Sequence, residues 1–188
     1  IPGSTVGYAR RFSWWSGYVQ NDDEQGFVEE LLSGQPDAHA YFGRMKMENK
    51  VGPALLDECL GLPELTSEAL HSALAADRVI FVDTRNHAEV HTGTVERSLN
   101  IPGTAKAASY GAWVYDPLVE QRPLVLLASD EREARGMRDH LIRVGIDHVA
   151  GFVTSLDGLN LVQPRVVQPD KIGEIDRVLL LDVRNKNE

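Results

Sequence analysis

Asp77-Arg-Val-Ile-Phe-Val-Asp-Thr-Arg-Asn86 returns, 99 positions later, as Asp176-Arg-Val-Leu-Leu-Leu-Asp-Val-Arg-Asn185. Glu89 and Glu188 stand three residues beyond the two copies. Solenoid repeats run about 20–50 residues, so this period is too long for one. It fits duplication of a whole domain, with the second copy opening near the last residue. Each phrase is an apolar run closed by an aspartate, which reads as a buried strand that turns where the acid stands. Asn86 and Asn185 are good helix caps, and Glu89 and Glu188 fall at the third helical position to complete a capping box. Arg85 and Arg184 lie within reach of both acids. Each junction is therefore expected to be a charge-paired clasp: Asp83, Arg85, Asn86 and Glu89 in the first copy, and Asp182, Arg184, Asn185 and Glu188 in the second. That structural role accounts for the phrase without a catalytic one.

Around the first phrase, residues 61–158 read as α/β. Val79–Val82, Leu124–Ala128 and Val149–Val153 are continuous apolar runs of strand length, as expected of strands covered on both faces. Helical patterns lie between them. Ala69, Leu70, Ala73 and Leu74 follow a Thr66 cap, and Ala134, Met137, Leu141 and Val144 lead to Gly145. This alternation predicts a mainly parallel sheet flanked by helices. Residues 159–175, with Pro164, Pro169 and Gly173, read as a linker. Residues 176–188 open the second copy.

Residues 1–57 read as a helical arm. Asn21 is the expected cap of one helix, with Glu24 reciprocating, a stripe of Phe27, Val28, Leu31 and Leu32, and Gly34 at its end. Ala38, Tyr41, Phe42 and Met45 mark a second helix running to Asn49. Two helices and the Trp14–Trp15 pair cannot bury a core alone, so the arm is expected to pack on a neighbouring domain. Position 1 is Ile and Glu188 stops in mid-motif, so the chain is expected to be an interior piece of a longer protein.

The apolar and charged fractions, 43% and 25%, are those of an ordinary globular chain and argue against disorder. No apolar run approaches the ~20 residues of a membrane span. The net charge of −9 argues against nucleic acid and anionic membranes, which are bound through clustered Lys and Arg. One cysteine, Cys59, excludes an intrachain disulfide and suits a reducing cytoplasm. Two acids precede it, which disfavours a thiolate and makes it a poor nucleophile. His87 and His91 are four apart, but as H-x-E-x-H without a third ligand in view, so no metal site is expected in this segment.

The run D-T-R-N-H-A-E-V-H-T-G-T-V-E-R-S-L-N-I-P, from Asp83 to Pro102, resembles the opening of a rhodanese-like domain. That family's pattern is D-V-R-x-x-x-E-(F/Y)-x-x-G-H-I-P-G-A followed by N-I-P. Asp83, Arg85, Glu89, Gly93, Asn100, Ile101 and Pro102 match. Thr94 stands where the family has His, and Glu96 where it has Pro. The resemblance covers about 61–158 and restarts at about 176. It implies a rhodanese-like parallel sheet flanked by helices, with the helical arm before it and the beginning of a second rhodanese-like copy after it.

By the same resemblance, an active member carries its nucleophilic cysteine after a central strand, in a C-x-x-G-x-R loop. Helix N-terminal amides lower the pKa of such a thiol and cradle anions. Here Ala128 takes the cysteine's place. Ser129, one residue on, has no base visible nearby in sequence, and an unassisted hydroxyl is a poor nucleophile. Asp130, Glu131 and Glu133, interrupted by Arg132, fill the loop with carboxylates that favour a helix start and repel an anion. The expectation is a degenerate loop of Ala128, Ser129, Asp130, Glu131, Arg132 and Glu133, with no catalytic residue in the segment.

The runs S-T-V-G-Y-A-R-R-F, G-Q-P and Y-F-G-R-M-K-M-E-N of residues 1–57 are similar to the end of the metallo-β-lactamase-fold domain in proteins that fuse it to two rhodanese-like domains. Those proteins are related to persulfide dioxygenases and glyoxalase-II-like hydrolases. The likeness implies iron or zinc in an upstream domain, on a cluster such as H-x-H-x-D-H that this chain lacks. The expected partners are that upstream domain and the second rhodanese-like copy. A homo-oligomer is a further possible assembly. The expected function is a catalytically inactive rhodanese-like positioning module in a sulfur-metabolism metallo-hydrolase fusion. The alternative is part of an active thiosulfate sulfurtransferase or persulfide dioxygenase whose catalytic residues lie elsewhere; a third reading is a pure interaction module.

Overall fold

The computed structural model describes residues 3–35, 38–53, 55, 61–177, 179 and 181. Two compact units are distinguished, Ile1–Ala40 and Tyr41–Glu188.

The first unit contains α1 (Val6–Phe12), α2 (Ser16–Gln20) and α3 (Glu24–Ser33). Asn21 does not cap α3; it ends α2, and the Asp23 side chain accepts from the Gly26 amide instead. Asp22 takes a left-handed φ of 54° between the two helices, and α3 starts two residues further on than its expected cap implies. Trp14 stacks on Phe27 with centroids 5.5 Å apart, and Tyr18 meets both rings edge-on. None of the three helices buries a residue.

The second unit takes α4 (Ala40–Val51) from Tyr41 onward and continues through α5 (Ser67–Ala75), β1 (Ile80–Asp83), α6 (His87–Thr92), β2 (Thr94–Val95) and β3 (Leu99–Asn100). There follow α7 (Ala107–Val114), β4 (Leu124–Leu127), α8 (Glu131–Ile142), β5 (Val149–Val153), β6 (Leu161–Val162) and a 3₁₀ turn, Pro169–Glu174. β3, β1, β4 and β5 form a parallel sheet in that order. Thr66 caps α5 as its spacing predicts, accepting from the Ala69 amide.

Successive strand side chains point to opposite faces, and both faces are covered. Val82, Leu124, Leu126 and Phe152 share one core with Ala107 of α7 and Ala134, Met137 and Leu141 of α8. Phe81, Val125, Leu127 and Val153 face the other way, against Leu70 of α5. This explains why the strands read as unbroken apolar runs. α7 lies so close to α8 that a Cβ on Gly111 would stand 2.6 Å from Leu141 Cδ2.

Two boundaries differ from the sequence reading. α4, expected in the arm, belongs with the α/β unit, because Tyr41 packs on the first core and Arg44 is pinned inside it. Arg44 Nη1 donates to Asp116 Oδ1 at 2.8 Å and Nη2 to the Val144 carbonyl at 2.6 Å. The first residues of the expected linker are also part of the fold. Leu159 is buried in the second core, and Leu161–Val162 pair antiparallel with Thr94–Val95. A two-residue strand shows no periodicity, so β2, β3 and β6 leave no sequence signal. Among the described residues, no helix is long and apolar enough to cross a membrane.

Candidate functional site

From β1 the chain goes to β3 on one side, and from β4 to β5 on the other. The carboxyl ends of β1 and β4 therefore flank the point where strand order reverses, where open α/β sheets form a crevice. A cleft of about 590 Å³ lies there, with Thr84, Arg85 and Glu89 on one wall and Ala128, Ser129 and Glu133 on the other. Thr84 Oγ1 donates to the Leu127 carbonyl and ties the two strand ends together.

The β1 wall is a clasp around one buried carboxylate. Asp83 is fully buried. Arg85 donates through Nε to Oδ1 at 3.0 Å and through Nη2 to Oδ2 at 2.7 Å, and its amide adds a bond to Oδ1 at 3.1 Å. Thr94 Oγ1 donates to Oδ2 at 2.7 Å. Burial pushes the Asp83 carboxyl up, but the bonds from Arg85 and Thr94 outweigh it and hold the group below the usual carboxylate range. The same pair raises Arg85. The Asn100 side-chain amide donates to the carbonyls of Asp83 and Arg85, both at 2.9 Å, and latches the turn.

Asn86 caps α6 by accepting from the Glu89 amide, as expected. Two details differ. Glu89 returns its bond to the Asn86 side-chain amide and not to the cap's backbone N–H. Arg85 is bonded to Asp83 and to the Gly93 carbonyl, while Glu89 acts on it only through space. The planar guanidinium fork matches a single carboxylate, and Asp83 takes it.

Across the cleft, Ala128 directly follows β4, with its amide on the Val153 carbonyl and its side chain buried. Asp130 caps α8, accepting from the Glu133 amide at 2.8 Å. Glu133 Oε2 accepts from both the Ser129 amide, at 2.7 Å, and the Ser129 hydroxyl, at 2.5 Å. The hydroxyl thus has a carboxylate partner that sequence reading did not supply, because four residues of helix start bring it back. The expected wall of carboxylates is also thinner. Asp130 is occupied as the cap, Glu131 pairs with Arg135 along the helix, Arg132 is exposed, and Glu133 is the acid of this loop that lines the cleft.

The second clasp (Asp182, Arg184, Asn185 and Glu188) and Cys59 lie outside the described residues. The His87 and His91 rings meet edge-on, 5.9 Å between centroids. No group of three or more His, Cys, Asp or Glu side chains that could hold a metal ion occurs among the described residues. Thr94 and Asn100 were legible as positions in a pattern, but their convergence on the Asp83 turn was not.

No protein-family model matches the chain, and a search of curated proteins finds no match. Among solved structures, a metallo-beta-lactamase from Staphylococcus aureus is similar over 81% of this chain, with a TM-score of 0.59 and 23% identity. The chain spans 40% of that structure's length. At this identity the likeness establishes a shared fold and says nothing of activity. A rhodanese-related protein from Thermoplasma volcanium matches 54% of this chain and 98% of its own, at TM-score 0.43 and 12% identity. A rhodanese-like domain from Anabaena matches 65% of this chain and 96% of its own, at TM-score 0.45 and 13% identity. Scores this low do not by themselves establish a common fold.

Proposed function

We propose that this chain is a rhodanese-like domain without a sulfurtransferase nucleophile, serving as a positioning module between an upstream metallo-β-lactamase-fold domain and a second rhodanese-like copy in a sulfur-metabolism protein. The single observation that carries this reading is Ala128, a buried methyl group at the end of β4 in the switch-point cleft. A sulfur carrier there would need a thiolate, and a methyl group has no lone pair to offer. The clasp around Asp83 supports the same reading, because Arg85 Nε and Nη2 and the Thr94 hydroxyl are directed to one buried acid, a framework contact. The Staphylococcus aureus structure supports the fusion, since it offers the same fold along part of a longer chain called a metallo-beta-lactamase. Iron or zinc would then belong to the upstream domain.

Incubation of the chain with thiosulfate and cyanide is expected to yield thiocyanate at the buffer rate, and mass spectrometry to show no added sulfur atom. Turnover that disappears on substituting Ser129 or Cys59 would defeat the reading.

A further inference from the structure

We propose that Glu133 is a tethered anion that closes the cleft to anionic ligands, so the site carries two independent locks and the missing cysteine is only one of them. The inference rests on reading the cleft as a sulfur-transfer site that has lost its nucleophile. Ser129 presents an amide and a hydroxyl at the wall, and one oxygen of Glu133 holds both, at 2.7 and 2.5 Å. An incoming thiosulfate or persulfide anion would have to displace that carboxylate and then sit beside it.

The other charges in the lining do not offset it. Glu89 is also negative, and Arg85 is committed to Asp83 and to the Gly93 carbonyl. Asp130 and Glu131 are engaged elsewhere, as the α8 cap and with Arg135. The sequence carries an independent sign of the same change. Counted from Ala128 along C-x-x-G-x-R, Glu131 stands at the glycine and Glu133 at the arginine. A cation in the pattern is thus replaced by the anion that now occupies Ser129. Restoring a cysteine at 128 would place it in a cleft whose nearby charge opposes a thiolate.

The test uses the whole chain in a Cys59→Ser background, comparing Ala128→Cys alone with Ala128→Cys combined with Glu133→Gln or Glu133→Ala. Glu133→Gln keeps the side chain's length and removes its charge, while Glu133→Ala removes both. Circular dichroism checks that α8 persists. Iodoacetamide alkylation is followed against pH. With Glu133 intact the new thiol is expected to titrate at or above the ordinary cysteine value of about 8.5. Each double variant is expected to titrate about one unit lower, and so to alkylate about tenfold faster at pH 7. Identical profiles in all three proteins would overturn the inference alone. Thiosulfate turnover by the unsubstituted chain, which contains no engineered thiol, would overturn the reading beneath it.

Discussion

Asn86 and Asp130 cap α6 and α8 in the same way, each accepting from the amide of the third helical residue, which in both helices is a glutamate. The turns that carry them face each other across one cleft. Behind Asn86, the contacts run inward to a fully buried carboxylate held by a guanidinium, a hydroxyl and a backbone amide. Behind Asp130, the polar contacts stay at the exposed surface, between Ser129 and Glu133. The same local grammar thus supports a framework joint on one strand and a replaceable rim on the other.

The largest test of this contrast is Asp83→Asn. The substitution leaves the Arg85 fork facing an amide and strips a half-buried cation of its counter-charge. It is expected to cost on the order of 3 kcal/mol in urea unfolding at pH 7. The acid limb sharpens the point. Asp83 titrates lower folded than unfolded, so its contribution is complete above the unfolded value of about 3.9 and disappears as pH falls through the folded one. The stability gap between the unsubstituted chain and Asp83→Asn should therefore narrow below about pH 4. A gap independent of pH would show that Asp83 acts by packing and not by charge.

Thr94→Val, which removes one buried donor and keeps the shape, is expected to cost about 1–2 kcal/mol. Asn86→Ala and Asp130→Ala each remove one cap and should cost about 1 kcal/mol, equal within error. Glu133→Gln should change stability by less than about 0.5 kcal/mol, as an exposed position does. If Asp130→Ala proved as damaging as Asp83→Asn, the distinction between joint and rim would fall.

The parts of this arrangement that are local in sequence were legible there. The three long strands, the caps Thr66 and Asn86, and the acidic start of α8 all follow from runs and spacings of a few residues. What escaped depends on distant segments meeting. Thr94 reaches Asp83 across 11 positions, Asn100 reaches it across 17, and Arg44 finds Val144 across 100. The α3 cap was misplaced because a left-handed Asp22 cannot be read from a run of polar residues that suits either start. In the cleft, spacing identified acidic residues but not their direction, and direction separates Glu133 from Glu131.

β6 bears on how the protein can be dissected. Its two residues pair with the strand that carries Thr94, and Leu161 also lies against Gly93, whose carbonyl receives Arg85. A cut after position 158 would strip the cover from Val95 and orphan the ladder beside the hydroxyl donor. The shortest piece that keeps the joint whole ends no earlier than Val162, and a deletion series should show its cooperative melt vanish between those two end points.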